Sequence, residues 1–187
     1  LHEDDTLPAK FLRLGFHDCV GGCDGCVDMG NADNAGLEVP IARLQAAFQG
    51  YDGLQELTRA DIWALATLVS ARFSSASRTV TYSFDFYGRT PCEKSQHCEG
   101  IDCGNDPSRQ GPHRVLPGPN GDTTTVLTYF QDNFGFNDTQ TVALMGAHGV
   151  GKTHRENSGF GRDDAVGWVY NNNRLNNGYY TMLVGFE

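Results

Sequence analysis

The sequence predicts a mainly α fold with long connecting loops. Three observations carry this. Apolar residues recur at helical spacing in several segments. Residues that favour helix N-caps stand directly before some of those segments. The stretches between them are rich in Gly, Pro, Asp and Cys and offer no periodicity.

Leu7 to Cys19 reads as the first helix, with Pro8 tolerated in its opening turn because the amide it lacks would be unpaired there anyway. Gly21 to Asn34 is a Gly/Asp/Cys loop. Leu37 to Phe48 carries Leu37, Ile41, Leu44 and Phe48 on one helical face. Thr58 is placed to cap a helix from Arg59 to about Phe73, with Ile62, Leu65, Ala66 and Val69 as its apolar face. Ser74 to Ser83 is polar and β-branched and reads as a short strand or a loop. Pro91 to Asp122, rich in Pro and Gly and holding three cysteines, reads as an extended cross-linked loop. Thr123 to Asn133 is a short helix. Asp138 is placed to cap another, running through Val142 to about His148. Gly159 to Asn177 reads as irregular, and Tyr179 to Val184 as a last helix. No internal repeat is visible.

The 187 residues suffice for one domain, residues 1–187, with a real core. Hydrophobic residues make up 39% and charged residues 20%, which places the chain among ordinary globular proteins. No apolar run approaches the roughly 18 residues of a membrane span, so no membrane partner is expected. A net charge of −9 argues against nucleic acid, since binding phosphates needs a basic surface. No signal peptide is visible, and any such segment is expected to have been cleaved or omitted. Six cysteines form two tight groups, Cys19/Cys23/Cys26 and Cys92/Cys98/Cys103. An even count in loop sequence favours disulfides in an oxidising compartment. Structural zinc is the rival, because Cys23 and Cys26 form a C-x2-C pair. The sequon Asn137-Asp138-Thr139 fits a secreted chain.

Chemistry concentrates around two histidines. Arg13, Phe16 and His17 stand at i, i+3 and i+4, which puts a cation, an aromatic ring and an imidazole on one helical face. His148 lies far down the chain in Ala143-Leu144-Met145-Gly146-Ala147-His148. One acid/base histidine beside an arginine, and a second as metal ligand, is what a haem pocket needs to split a peroxide.

Several blocks in sequence order resemble the haem peroxidases of plants, fungi and microbes. Arg13-Leu14-Gly15-Phe16-His17-Asp18-Cys19 is similar to that family's distal helix, and Asn34-Ala35-Gly36-Leu37 to the segment whose Asn accepts a hydrogen bond from the distal His. Ala60-Asp61-Ile62-Trp63-Ala64-Leu65-Ala66, Gly88-Arg89, Leu116-Pro117-Gly118-Pro119 and Val142 to Gly151 continue the likeness. The resemblance implies haem b as cofactor, hydrogen peroxide as oxidant, and a small molecule or a protein as electron donor. It implies His148 as the iron ligand, His17 as general base and then general acid, and Asn34 as the residue that orients His17. Arg13 would stabilise the departing oxygen, and Phe16 would pack over the haem plane.

Gly151 to Phe160 looks most like the cytochrome c and ascorbate peroxidases. There the residue matching His154 contacts a haem propionate, and the one matching Trp168 lies beside the proximal His. This chain departs from that subgroup in having Phe16 where those proteins carry Trp, and Asn157 where ascorbate users carry Arg; it also has extra residues within Gly161 to Val166. The distal loop resembles secreted peroxidases instead. By that likeness Asp18 and Asp24, with the carbonyls of Val20 and Gly22, would hold one calcium ion, and Cys19 would pair with Cys23. Cys26 stands where those enzymes have a hydroxyl residue, the loop is one residue shorter, and Gly149 replaces the Thr that begins their second calcium site.

Gly146 to Thr153 also matches the phosphate-binding pattern G-x4-G-K-[ST], with Thr141 to Met145 as the strand before it, Lys152 on phosphate and Thr153 on magnesium. Only 34 residues follow Thr153, too few for the βα units of such folds, and this reading leaves the Arg13/Phe16/His17 block unexplained. In the resembling family a buried Asp behind the proximal His lies beyond the position of Glu187. The sequence is therefore read as a haem-peroxidase-like helical fold truncated at both ends. The alternative is a non-enzymatic secreted structural or matrix protein on the same scaffold, assembled with other chains.

Overall fold

The computed structural model describes residues 4–54, 56–75, 81–92, 116–118, 120–158 and 166–185. They are mainly helical, as the sequence predicts. Helix α1 (Leu7–Gly21) opens on its proline and ends at Gly22, whose φ of 125° lets its N–H reach back to the carbonyls of Asp18 and Cys19. Helix α2 (Glu38–Gly50) follows a 3-10 turn at Ala32–Asn34. Helix α3 (Arg59–Ser74) starts at Thr58 with a capping box: the Thr58 hydroxyl accepts the Asp61 N–H, and the Asp61 carboxylate accepts the Thr58 N–H.

α1 crosses α3 closely because Gly15 has no side chain; a Cβ there would overlap the Thr67 hydroxyl. That hydroxyl donates to Phe11 O at 3.2 Å and to Trp63 O at 2.8 Å. Around this crossing Leu7, Phe11, Leu14, Val27, Leu37, Ile41, Leu44, Ile62 and Trp63 form the core. Each such side chain contributes roughly 1.5–3 kcal/mol on full burial.

The buried face of α3 differs from expectation. Val69 is 45% exposed, while Asp61, Ser70 and Ser74 are fully buried. Ile62 stays in the core as expected, and the burial of Asp61 has its own cause in the partners of its carboxylate. The carboxylate accepts from the backbone N–H of Gly88 (2.7 Å) and Arg89 (3.2 Å) and from Arg89 Nη1 (3.0 Å), so a polar anchor turns inward.

Helix α4 (Thr123–Phe134) is capped by Asp122 and stopped by Gly135 in the left-handed region. Helix α5 (Asp138–Met145) begins one residue earlier than Asp138 suggests. Asn137 is the cap, its Oδ1 accepting the Gln140 N–H at 2.9 Å while Gln140 Oε1 accepts the Asn137 N–H at 3.0 Å. Asp138 sits in the first turn, where its charge favours the helix dipole. α5 does not run to His148 as an α-helix. At Gly146 it tightens into a 3-10 turn, Gly146–Gly149, because the two glycines weaken α-helix there.

The chain then enters strand β1 (Lys152–Thr153), which pairs antiparallel with β2 (Val166–Gly167). This overturns the phosphate-loop reading. A phosphate loop needs a strand before it and a helix starting at its Lys-Thr. Here a helix precedes, and Lys152–Thr153 is strand. A single turn, α6 (Arg155–Ser158), and a last helix, α7 (Gly178–Val184), follow. β2 lies in the segment read as irregular. Ser75 bridges to Leu175, whose N–H donates to Ser74 O at 2.8 Å and joins the end of α3 to the second half. Most of the segment 91–122 and part of 74–83 and 159–177 lie outside the described residues.

Disulfides join Cys19 to Cys23 and Cys26 to Cys92. The zinc reading falls with this, because Cys23 and Cys26 are each committed to a different partner. Among the described residues the cluster of potential ligating side chains, Asp24 with Cys26 and Cys92, has both sulfurs in a disulfide. Cys98 and Cys103 lie outside the described residues.

Candidate active site

The one-face spacing of Arg13, Phe16 and His17 on α1 is realised, and the 3-10 turn at Ala32–Asn34 lies against it. Asn34 is buried, and its Nδ2 donates to Asp28 O at 2.7 Å. Its Oδ1 therefore faces His17, 2.7 Å from Nδ1. An amide oxygen only accepts, so His17 Nδ1 carries the proton and Nε2 keeps a free lone pair. The His17 pKa is lowered from 6.5 to about 4: burial is the largest cause, the Arg13 charge adds to it, and the Asn34 hydrogen bond opposes both. The ring is a neutral base at ordinary pH.

Arg13 is held by the same short segment. Nη2 donates to Asp33 O at 2.7 Å and Nη1 to Ala35 O at 2.9 Å. Burial lowers its pKa, with Glu38 and Asp33 opposing. Phe16 stands edge-on to His17, with ring centroids 5.9 Å apart, and meets Phe130 of α4 at 6.1 Å.

His148 sits in the 3-10 turn after α5. Its Nδ1 is 3.1 Å from Met145 O, so Nδ1–H donates and Nε2 is available to a metal. Burial lowers its pKa against the raising effect of that hydrogen bond, which favours the neutral imidazole that a metal requires. Trp168, 47% exposed, lies beside it at 5.4 Å between centroids. Tyr179 lies on it at 5.1 Å and 33° between planes. The resemblance implied Trp168 beside His148 and gave no such role to Tyr179, which stands in the run Asn176-Asn177-Gly178-Tyr179-Tyr180. The Met145 carbonyl left no side-chain signature to find. His154 lies between β1 and α6, and its carbonyl accepts the Asn157 N–H at 3.0 Å.

The distal loop is organised by Asp18. Its Oδ1 accepts the backbone N–H groups of Asp24 (3.1 Å), Gly25 (2.8 Å) and Cys26 (3.2 Å), and its carbonyl accepts from Cys23 at 3.0 Å. Val20 is buried, and Gly22 is the end of α1.

A family model described as Peroxidase matches residues 1–184. A protein of Yarrowia lipolytica named "Putative heme-binding peroxidase" is 30% identical over 196 residues, covering 98% of this chain and 58% of that protein. The mitochondrial cytochrome c peroxidase of Candida albicans is 29% identical over 196 residues, covering 98% and 47%. Peroxidase 40 of Arabidopsis thaliana is 28% identical over 163 residues, covering 80% and 42%. The chain thus spans less than two thirds of the length of these relatives.

Proposed function

The chain belongs to the haem peroxidase superfamily, and on that premise we propose that it binds haem b and reduces hydrogen peroxide with electrons from a separate donor. The observation that carries this is the joint anchoring of His17 and Arg13 on residues 33–35. A general base in a fixed tautomer and a cation are presented together from one helical face. Bound haem would supply the metal that takes up peroxide and the electrons that reduce it.

His148 is the residue that would ligate the iron, through Nε2. His17 Nε2 takes a proton from peroxide and returns it to the departing oxygen. Arg13 offsets the negative charge that develops on that oxygen. Asn34 fixes the His17 ring, and Phe16 lines the same wall. His154 would face a propionate, and Trp168 stands beside His148. Asn157 in place of an arginine argues against ascorbate as donor. A small molecule or a redox protein remains the donor class.

Asp18, Val20, Gly22 and Asp24 are the residues that would hold a calcium ion. The ion needs six to eight oxygens. Asp18 Oδ1 already receives three N–H groups, and Cys26, which stands where secreted peroxidases have a hydroxyl residue, is in a disulfide. Secretion rests on the two disulfides and on Asn137, which is exposed in its sequon. Among the described residues no helix is long and apolar enough to cross a membrane.

The test is haem titration of the purified protein, with and without peroxide. A saturable Soret band that shifts on peroxide addition and recovers with a reducing dye supports the proposal. Protein that takes up no haem and oxidises no dye supports the structural or matrix alternative.

A further inference from the structure

Residues 33–35 hold both distal side chains, yet the segment is short and ends on Gly36. Gly36 has φ of 87°, a conformation that side chains other than glycine's rarely adopt. It is also a packing position. A Cβ built there would lie 2.7 Å from Asn157 Nδ2, 3.2 Å from Asn157 Cγ and 3.5 Å from Arg13 Nη1. The side chain of Asn157 is therefore seated directly against the Gly36 backbone, with the Arg13 guanidinium on the same side.

Asn157 reaches this seat from the other half of the chain. It belongs to α6, which follows β1 and the turn that carries His148, and its N–H is tied to His154 O. The contact joins the segment after His148 to the segment that clamps Arg13 and His17. The carbonyls of Asp33 and Ala35 have no covalent reason to stay in register with α1. The turn is tied within itself by the bonds from Asn34 N–H to Asn31 O and from Ala35 N–H to Ala32 O, and on its Gly36 face the Asn157 side chain packs against it from the other half of the chain.

We propose that Asn157 is a positioning residue for the distal pair, acting through Gly36 to hold residues 33–35 where they orient His17 and Arg13. The inference rests on the peroxidase reading of His17 and Arg13. It adds a role for Asn157 that differs from contact with a donor.

The test is a double-mutant cycle of Gly36→Ala and Asn157→Ala in the haem-loaded protein, read by the rate constant with hydrogen peroxide and by haem affinity. The second readout is solvent exchange of the His17 Nδ1 proton by NMR, with and without haem. Gly36→Ala should slow the peroxide reaction by about tenfold or more through a displacement of under an ångström. It should also speed exchange of the proton while haem affinity is kept. Asn157→Ala alone should also slow the peroxide reaction and speed exchange of the His17 proton, with haem affinity kept. An Asn157→Ala protein unchanged in both would overturn the proposal. Because this substitution removes both atoms that the new Cβ would strike, the double variant should lose less than the product of the two single losses. The strain of placing Ala at positive φ is present in both backgrounds and cancels in the cycle. Effects of the two substitutions that simply multiply would overturn the proposal, as would an unchanged His17 proton in Gly36→Ala. Failure of the peroxidase reading looks different. It appears as no haem band in the unsubstituted protein, and the His17 proton still reports on the contact there.

Discussion

His17 donates its Nδ1–H to Asn34 Oδ1 at 2.7 Å, and Asn34 is itself locked by the bond from its Nδ2 to Asp28 O. Two hydrogen bonds in series thus decide which nitrogen of the base is free. Asn34→Val should lower the rate constant for peroxide about 10- to 100-fold, the usual consequence of losing an orienting partner. Haem binding should be retained. His17→Leu should cost about 100- to 10,000-fold, because the base itself is gone. Stopped-flow measurement of the peroxide reaction checks both, and equal rates in Asn34→Val and the unsubstituted protein would remove Asn34 from the mechanism.

The pH dependence follows from the same residue. With a pKa of about 4, His17 is a free base above that value and is protonated below it. The peroxide rate should be flat from about pH 5 upward and fall as pH drops through 4. Burial is the larger cause of the lowering and the Arg13 charge the smaller. In Arg13→Leu the acid limb should therefore move upward yet stay below 6.5, alongside a lower plateau. A limb that moves downward would show that Arg13 does not act on His17 by charge.

Much of this arrangement is local and was legible in the sequence. The face shared by Arg13, Phe16 and His17 follows from helical spacing, and Thr58 followed by Asp61 three residues later is a capping signature. Where the sequence misled, the deciding partner lay elsewhere. Asn137 and Asp138 are both good caps, and only the reciprocal bond from Gln140 distinguishes them. The burial of Asp61 depends on Gly88 and Arg89, 27 and 28 residues away. Cys26 has no local reason to choose Cys92. Lys152–Thr153 is strand because Val166–Gly167 lies beside it, which a local pattern cannot encode. The contacts of His148 with Tyr179 and of Gly36 with Asn157 are of the same kind: each joins distant segments and appears only when they pack.

Asp61 should be the most sensitive polar position for stability. Its side chain is 1% exposed and bonded to Arg89, Gly88 and Thr58. Asp61→Ala keeps the Thr58 cap but removes the return half of the capping box and leaves the donors of Gly88, Arg89 and Thr58 unpaired, at a cost of about 3 kcal/mol. Burial raises the carboxyl pKa, and the bonds from Gly88, Arg89 and Thr58 outweigh this, so the folded value lies below 3.8. The stabilisation is fully present above the unfolded pKa and is lost as pH falls through the folded one. Denaturant melts between pH 7 and pH 2 should show a loss in the unsubstituted protein that is smaller in Asp61→Asn.

The last prediction concerns His148. Its Nδ1–H is given to Met145 O, and its ring has Trp168 and Tyr179 as neighbours, so the imidazole is oriented and Nε2 is left to a metal. His148→Gly removes the ligand and leaves a space of imidazole size beside the two aromatic rings. Haem affinity should fall by at least about 10-fold. Added imidazole should restore the Soret position, because the flanking rings can seat the free ligand in place of the side chain. Trp168→Ala in the His148→Gly background should raise the imidazole concentration needed, since one wall of the seat is lost. Titration of imidazole by absorbance, at fixed haem, separates these outcomes. A Soret band that His148→Gly leaves unchanged would mean that another residue ligates the iron.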